Sequence, residues 1–116
     1  MTVTIFHNPS CSKSRATLSL LQEKGIAPTV VAYLEQIPSP AELKTLLARL
    51  GFDDARKLMR KNEAEYAELG LDDPALDQDA LIAAMAAHPR LIERPIVING
   101  EKAAIGRPPE NVLGIL

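Results

Sequence analysis

Between Pro40 and His88 no run of residues has the alternation or the β-branched density that a strand needs. Any sheet must therefore be assembled from the two ends of the chain. The first end supplies Val3 to Phe6 and Thr29 to Tyr33, two short β-type runs. Between them, from Ser12, the pattern turns helical, with Leu18 and Leu21 on one face beside Thr17 and Gly25 as a C-terminal cap. A strand, a helix of about a dozen residues and a strand form a βαβ unit, whose strands run parallel. The second end supplies Pro95 to Ile98 and Lys102 to Ile105, joined through Asn99-Gly100, the strongest hairpin signal in the chain. Pro108-Pro109 then opens a last helix that turns Val112, Leu113 and Leu116 inward.

The middle segment reads as helices. Ser39-Pro40 starts one, Leu43, Leu46, Leu47 and Leu50 give it an apolar face, and Gly51 stops it. Arg56 to Arg60, Glu63 to Leu69 and Gln78 to Ala87 follow, the last with Leu81, Ile82 and Met85 on its buried side. The order is βαβ, a helical stretch of about fifty residues, then ββα. This is the plan of a thioredoxin-like α/β fold, with a four-stranded mixed sheet and an inserted helical segment over 40–88. With 116 residues the chain suits a single domain over 1–116, large enough to hold a core without disulfide or metal staples.

Composition excludes several function classes. The net charge of −2 gives no general field for nucleic acid, and 3% aromatics with no Trp leave no base-stacking platform. No apolar stretch reaches the roughly 20 residues of a membrane span. The N-terminus lacks the basic start and long apolar run of a signal peptide. With a single cysteine, this implies a reducing, cytoplasmic setting. No Cys/His cluster could supply a zinc site.

That cysteine, Cys11, lies in His7-Asn8-Pro9-Ser10-Cys11-Ser12-Lys13-Ser14-Arg15, just after a strand and just before a helix. Free N–H groups at a helix start, the helix dipole and the charges of Lys13 and Arg15 all favour a thiolate. A free cysteine is often a small buried hydrophobe. Here polar and turn-forming neighbours on both sides make a core position hard to arrange. Cys11 to Ser14 is a Cys-x-x-Ser motif, so Ser14 stands where a dithiol enzyme has its resolving cysteine. An oxidised Cys11 must then be resolved by an outside thiol. His7 either stabilises the thiolate or is a polar residue at a strand end.

Arg60, Arg94 and Arg107 sit at element ends or in loops fixed by proline and glycine, unlike Arg49 or Arg56, which read as arginines on solvated helix faces. The guanidinium fork binds tetrahedral oxyanions by paired hydrogen bonds and keeps its charge. A thiolate beside several arginines is suited to attack on an oxyanion centre. The alternative for each arginine is a surface ion pair with one of the many glutamates.

Taken together, His7-Asn8-Pro9 with Cys11 and Ser14-Arg15, Tyr33-Leu34-Glu35, Arg60-Lys61-Asn62, Glu68 to Leu71, Arg94 to Val97 and Arg107-Pro108 resemble the glutaredoxin-dependent arsenate reductases, the ArsC family, essentially end to end. The resemblance implies that Cys11 is the nucleophile. It places His7, Ser14 and Arg15 in the activating loop, and gives Arg60, Arg94 and Arg107 the oxyanion and the arsenic intermediates to hold. It makes Arg94-Pro95 similar to the cis-proline of thioredoxin-like proteins. Arsenate or a similar oxyanion would be the substrate, glutathione the co-substrate and glutaredoxin the partner, with no bound cofactor and no metal, nucleic acid or membrane. Ser12-Lys13 departs from the smaller, uncharged pair of the best-known members, and the C-terminal extension of those members is missing after Leu116. Two other functions fit the same fold. One is a glutathione-dependent thiol reductase with another substrate. The other is a Spx-like non-enzymatic regulator that binds RNA polymerase, against which the retained arginines argue.

Overall fold

The computed structural model describes residues 2–116. The chain forms two compact units, one of Met1–Gln36 with Arg94–Leu116 and one of Ile37–Glu93.

In the first unit, β1 (Val3–Phe6), α1 (Ser12–Glu23) and β2 (Thr29–Val31) come from the N-terminal end, and β3 (Ile96–Asn99) and β4 (Lys102–Ile105) from the C-terminal end. The four strands make one sheet in the order β2-β1-β3-β4. Strand β1 runs parallel to β2, with Thr4 opposite Thr29, and antiparallel to β3, with Thr4 opposite Ile98. Strands β3 and β4 form the expected antiparallel hairpin. Sheet and strand directions therefore agree with the sequence reading, although β2 stops at Val31, short of Tyr33. As an exposed edge strand it has few neighbours to hold its last residues in the ladder.

The hairpin turn is displaced by one residue. Asn99 pairs with Lys102 as the last rung, so Gly100 and Glu101 are the two loop residues. Gly100 has φ 63° while none of the described non-glycine residues has positive φ, which fits glycine in the first loop position of a type II′ turn. Alternation along β1 puts Val3 and Ile5 into a core with Leu21, Val97 and Val112, against which Leu18, Leu20, Ile26, Ala104 and Ile115 pack. Full burial of each large apolar side chain there contributes about 1.5–3 kcal/mol.

The last helix differs from expectation. Pro109–Ile115 is a 3-10 helix, not an α-helix. A short run with Gly114 near its end has little to favour regular α-helical bonding over the tighter 3-10 turn. The Arg94-Pro95 bond is cis, as the resemblance implied, and so is Arg107-Pro108.

The second unit holds α2 (Pro40–Leu50), α3 (Ala64–Glu68), α4 (Gln78–Ala87) and short 3-10 turns at Ala55–Leu58 and Pro89–Leu91. Helix α2 opens with a reciprocal capping box. The Ser39 hydroxyl accepts the Glu42 N–H at 3.2 Å, and the Glu42 carboxylate accepts the Ser39 N–H at 3.3 Å. It ends at Gly51, whose φ of 73° relieves the left-handed cap of any Cβ clash. The unit contains no strand among its described residues, only an isolated bridge between Met59 and Ile92. Arg56 corrects the sequence reading. It is no solvated helix-face residue, because its guanidinium donates to the carbonyls of Leu71 (3.1 Å) and Asp73 (2.7 Å) and pins that loop.

Candidate active site

The site grows from the polar end of α1. The buried face of this helix is Ser14, Thr17 and Leu21. Leu21 belongs to the core, whereas Ser14 and Thr17 are fully buried hydroxyls near the first turn. Buried hydroxyls need partners, and theirs organise the loop around Cys11. The Ser14 hydroxyl accepts the Asn8 N–H at 3.0 Å and lies 3.1 Å from His7 Nδ1. Burial and then the charge of Arg15 hold the His7 ring below its ordinary pKa, so it is neutral at pH 7. In that state Nδ1 and the Ser14 hydroxyl share one hydrogen bond, whose donor is set by the ring's tautomer. Arg15 donates from Nη1 to the Pro9 carbonyl at 2.8 Å and straps the loop from outside.

The hydrogen bonds of Ser14 lead to a first prediction. Ser14→Ala leaves the Asn8 N–H without its acceptor, and losing a partner for a buried donor costs about 1–3 kcal/mol. Urea unfolding should show that loss with an unchanged slope. An unaltered midpoint would mean that the loop does not depend on this hydroxyl.

Cys11 is the N-cap of α1, in extended backbone conformation (φ −98°, ψ 123°). Its carbonyl accepts the Arg15 N–H at 3.0 Å, and its own N–H donates to Asn8 at 3.0 Å. The side chain is 7% exposed, a narrow opening to solvent. Arg107 Nη2 lies 3.5 Å from Sγ. The same guanidinium donates from Nε to the Arg94 carbonyl at 2.8 Å. Two nitrogens of one planar group thus reach two loops.

Burial pushes the Cys11 thiol up. The backbone N–H groups of Ser14 and Lys13 oppose this, as do the charges of Arg94 and Arg107, and together they prevail, so the thiol titrates below its ordinary value. Neither N–H closes a full capping bond to the sulfur. Their contribution is the open helix end acting on a nearby anion. The alkylation rate of Cys11 should therefore follow a titration with a midpoint below about 8.5, holding its plateau above that midpoint and falling as pH drops through it. A midpoint at or above that value would remove the activated thiolate.

Of the residues singled out from the sequence, Cys11, His7, Ser14, Arg15, Arg94 and Arg107 all belong to the first unit. Arg94 keeps Nε and Nη1 buried. Arg60 belongs to the second unit, where its guanidinium pairs with the Glu63 carboxylate and lies 4.0 Å from that of Glu93. The residues that sequence reasoning passed over are Thr17, read only as part of a helix face, and Gly106, read only as a spacer before Arg107. Their signals were a hydroxyl at a core position of α1 and a glycine where no turn was needed.

A four-stranded mixed sheet with a single thiol capping the helix after its first strand defines a thioredoxin-like oxidoreductase domain. The chain belongs to the ArsC family, whose sequence model matches residues 6–115. An arsenate reductase of Neisseria meningitidis serogroup A is 56% identical over 114 residues, covering 98% of this chain and 97% of that protein. One of Haemophilus influenzae is 53% identical over the whole of both chains. The solved structure of an arsenate reductase from Vibrio cholerae superposes with a TM-score of 0.98 at 58% identity, covering 100% of this chain and 98% of that one. Among the described residues, no helix is long and apolar enough to cross a membrane.

Proposed function

We propose that this protein reduces arsenate to arsenite, with Cys11 as nucleophile and with glutathione and glutaredoxin as the source of the second thiol. The observation that carries the reading is the thiol of Cys11 held 3.5 Å from the guanidinium of Arg107, at an open helix start. Relatives over half identical are named arsenate reductases, which selects the oxyanion.

The Cys11 thiolate attacks arsenic while Arg94 and Arg107 bind the arsenate oxygens and stabilise their charge. One oxygen leaves as water and a cysteine–arsenic bond remains. Reduction from the pentavalent to the trivalent state takes two electrons, and each thiol that enters a disulfide gives one. The balance is one arsenate and two thiols in, one arsenite, one disulfide and one water out. Within this sequence Cys11 is the sole thiol, so the second is glutathione. Glutaredoxin then attacks the resulting mixed disulfide and frees Cys11.

His7, Ser14 and Arg15 hold the loop that presents the sulfur. Arg60, which pairs with Glu63 within the second unit, is assigned to the oxyanion together with Arg94 and Arg107. The test is NADPH oxidation coupled through glutathione reductase, with glutathione, glutaredoxin and arsenate present. Oxidation that depends on arsenate and on both thiol components is expected. No response to arsenate, but oxidation when a glutathione mixed disulfide is supplied in its place, would point to a glutathione-dependent reductase of another substrate, and none with either would retire the enzyme reading.

A further inference from the structure

Gly106 is buried and has no positive φ, so the turn chemistry that usually explains a glycine is absent. Space explains it instead. A Cβ at this position would lie 2.5 Å from Thr17 Oγ1, 2.8 Å from Pro95 Cγ and 3.1 Å from Thr17 Cγ2. The first two distances are shorter than a real Cβ tolerates, so the backbone of Gly106 rests directly on the Thr17 side chain and the Pro95 ring. Thr17 in turn is fully buried, and its hydroxyl donates to the Lys13 carbonyl at 2.8 Å, with the Gly106 carbonyl at 3.5 Å. The Gly106 N–H donates to the Pro95 carbonyl at 2.9 Å.

At the end of the sheet nearest Cys11, these contacts join three pieces that carry the reacting groups. Helix α1 presents Cys11 at its start. The Arg94-Pro95 loop leads into β3, and Gly106-Arg107 leaves β4. We infer that Thr17 and Gly106 are positioning residues for the thiol–arginine pair: their close packing sets how near the arginine loops approach the start of α1. The inference rests on the proposed oxyanion role of Arg94 and Arg107. Neither Thr17 nor Gly106 touches substrate. Each acts through the spacing of groups that do.

The experiment compares Gly106→Ala, Thr17→Ala and the double variant. Two readouts go beyond stability. One is the pH midpoint of Cys11 alkylation by iodoacetamide, and the other is the arsenate concentration that half-protects Cys11 from it. In Gly106→Ala the added methyl pushes the loop off α1. The midpoint should move up toward that of a free thiol, and half-protection should need at least tenfold more arsenate. Thr17→Ala in that background removes the two Thr17 contacts, leaves only that with the Pro95 ring, and should recover a clear part of both changes, a coupling that independent sites do not show. A folded Gly106→Ala with both readouts unchanged, or a double variant that is the plain sum of the singles, overturns the inference. If Gly106→Ala does not fold, Thr17→Ser decides. It keeps the hydroxyl but removes the methyl that abuts Gly106, and should raise the half-protecting concentration about threefold through looser positioning alone. No change there overturns the inference as well. If arsenate gives no protection even in the unaltered protein, the substrate reading fails, while the alkylation midpoints of the same variants still judge the positioning.

Discussion

Cys11→Ser should lower arsenate turnover by four orders of magnitude or more, to the background of the coupled assay, since loss of the nucleophile in covalent catalysis has effects of roughly that size. Two independent reasons point the same way. A serine hydroxyl does not ionise near neutral pH, even beside Arg107 and the open end of α1, whereas the thiol already titrates below its ordinary value. Serine also cannot become half of a disulfide, so it cannot give the electron that the balance demands from the protein. Lending it a base would not help. The exchange removes little volume from a position that is 7% exposed and takes no bond from the Asn8 and Arg15 backbone contacts. Circular dichroism and the thermal midpoint should therefore stay close to the parent. A variant that keeps more than about a hundredth of the parent rate would show that the sulfur is not the group that attacks.

The fold was legible because its signals are local. The Ser39-Glu42 capping box with Gly51 fixes α2 without reference to anything distant, and the alternation of Val3 and Ile5 fixes the buried side of β1. Where local signals were ambiguous, the reading slipped by small amounts. Asn99-Gly100 marks a hairpin in either register, and only the pairing of Asn99 with Lys102 places the turn at Gly100-Glu101. Pro108-Pro109 marks the start of a helical turn, but its 3-10 geometry is set by a short run with glycine near its end.

The site was legible in part, for a different reason. Sequence names the residue types that a thiol–oxyanion chemistry needs, and it singled out Cys11 and Arg107, which the fold brings within 3.5 Å of each other. It does not carry distance. For Arg60 the side-chain partner Glu63, three residues on along the chain, was itself visible in the sequence. Arg56 looked like a surface residue because the carbonyls it binds, at Leu71 and Asp73, leave no mark in a side-chain pattern. Thr17 and Gly106 escaped for the same reason. Their contact joins positions 89 residues apart, and neither residue type announces a chemical role.

The second large effect is expected at Arg107. Its Nε holds the Arg94 carbonyl and its Nη2 faces Cys11 Sγ, so the guanidinium serves the loop and the sulfur at once. Arg107→Lys keeps the charge but offers a single nitrogen on a flexible stem, which can satisfy one of those contacts at a time. The alkylation midpoint of Cys11 should move little, because the positive charge remains and the N–H groups of α1 are untouched. The coupled rate should nevertheless fall by about 10²-fold, the usual consequence of removing one well-aimed donor from a developing anion. Arg107→Met removes the charge too and should raise the midpoint as well as lower the rate. Comparing the two separates what geometry contributes from what charge contributes. Arg94→Lys is the parallel case and should lose activity in the same sense. If both lysine variants reduce arsenate at the parental rate, charge alone is sufficient. The planar fork then has no part in binding the oxyanion, and the Arg107–Cys11 contact serves only to keep the sulfur ionised.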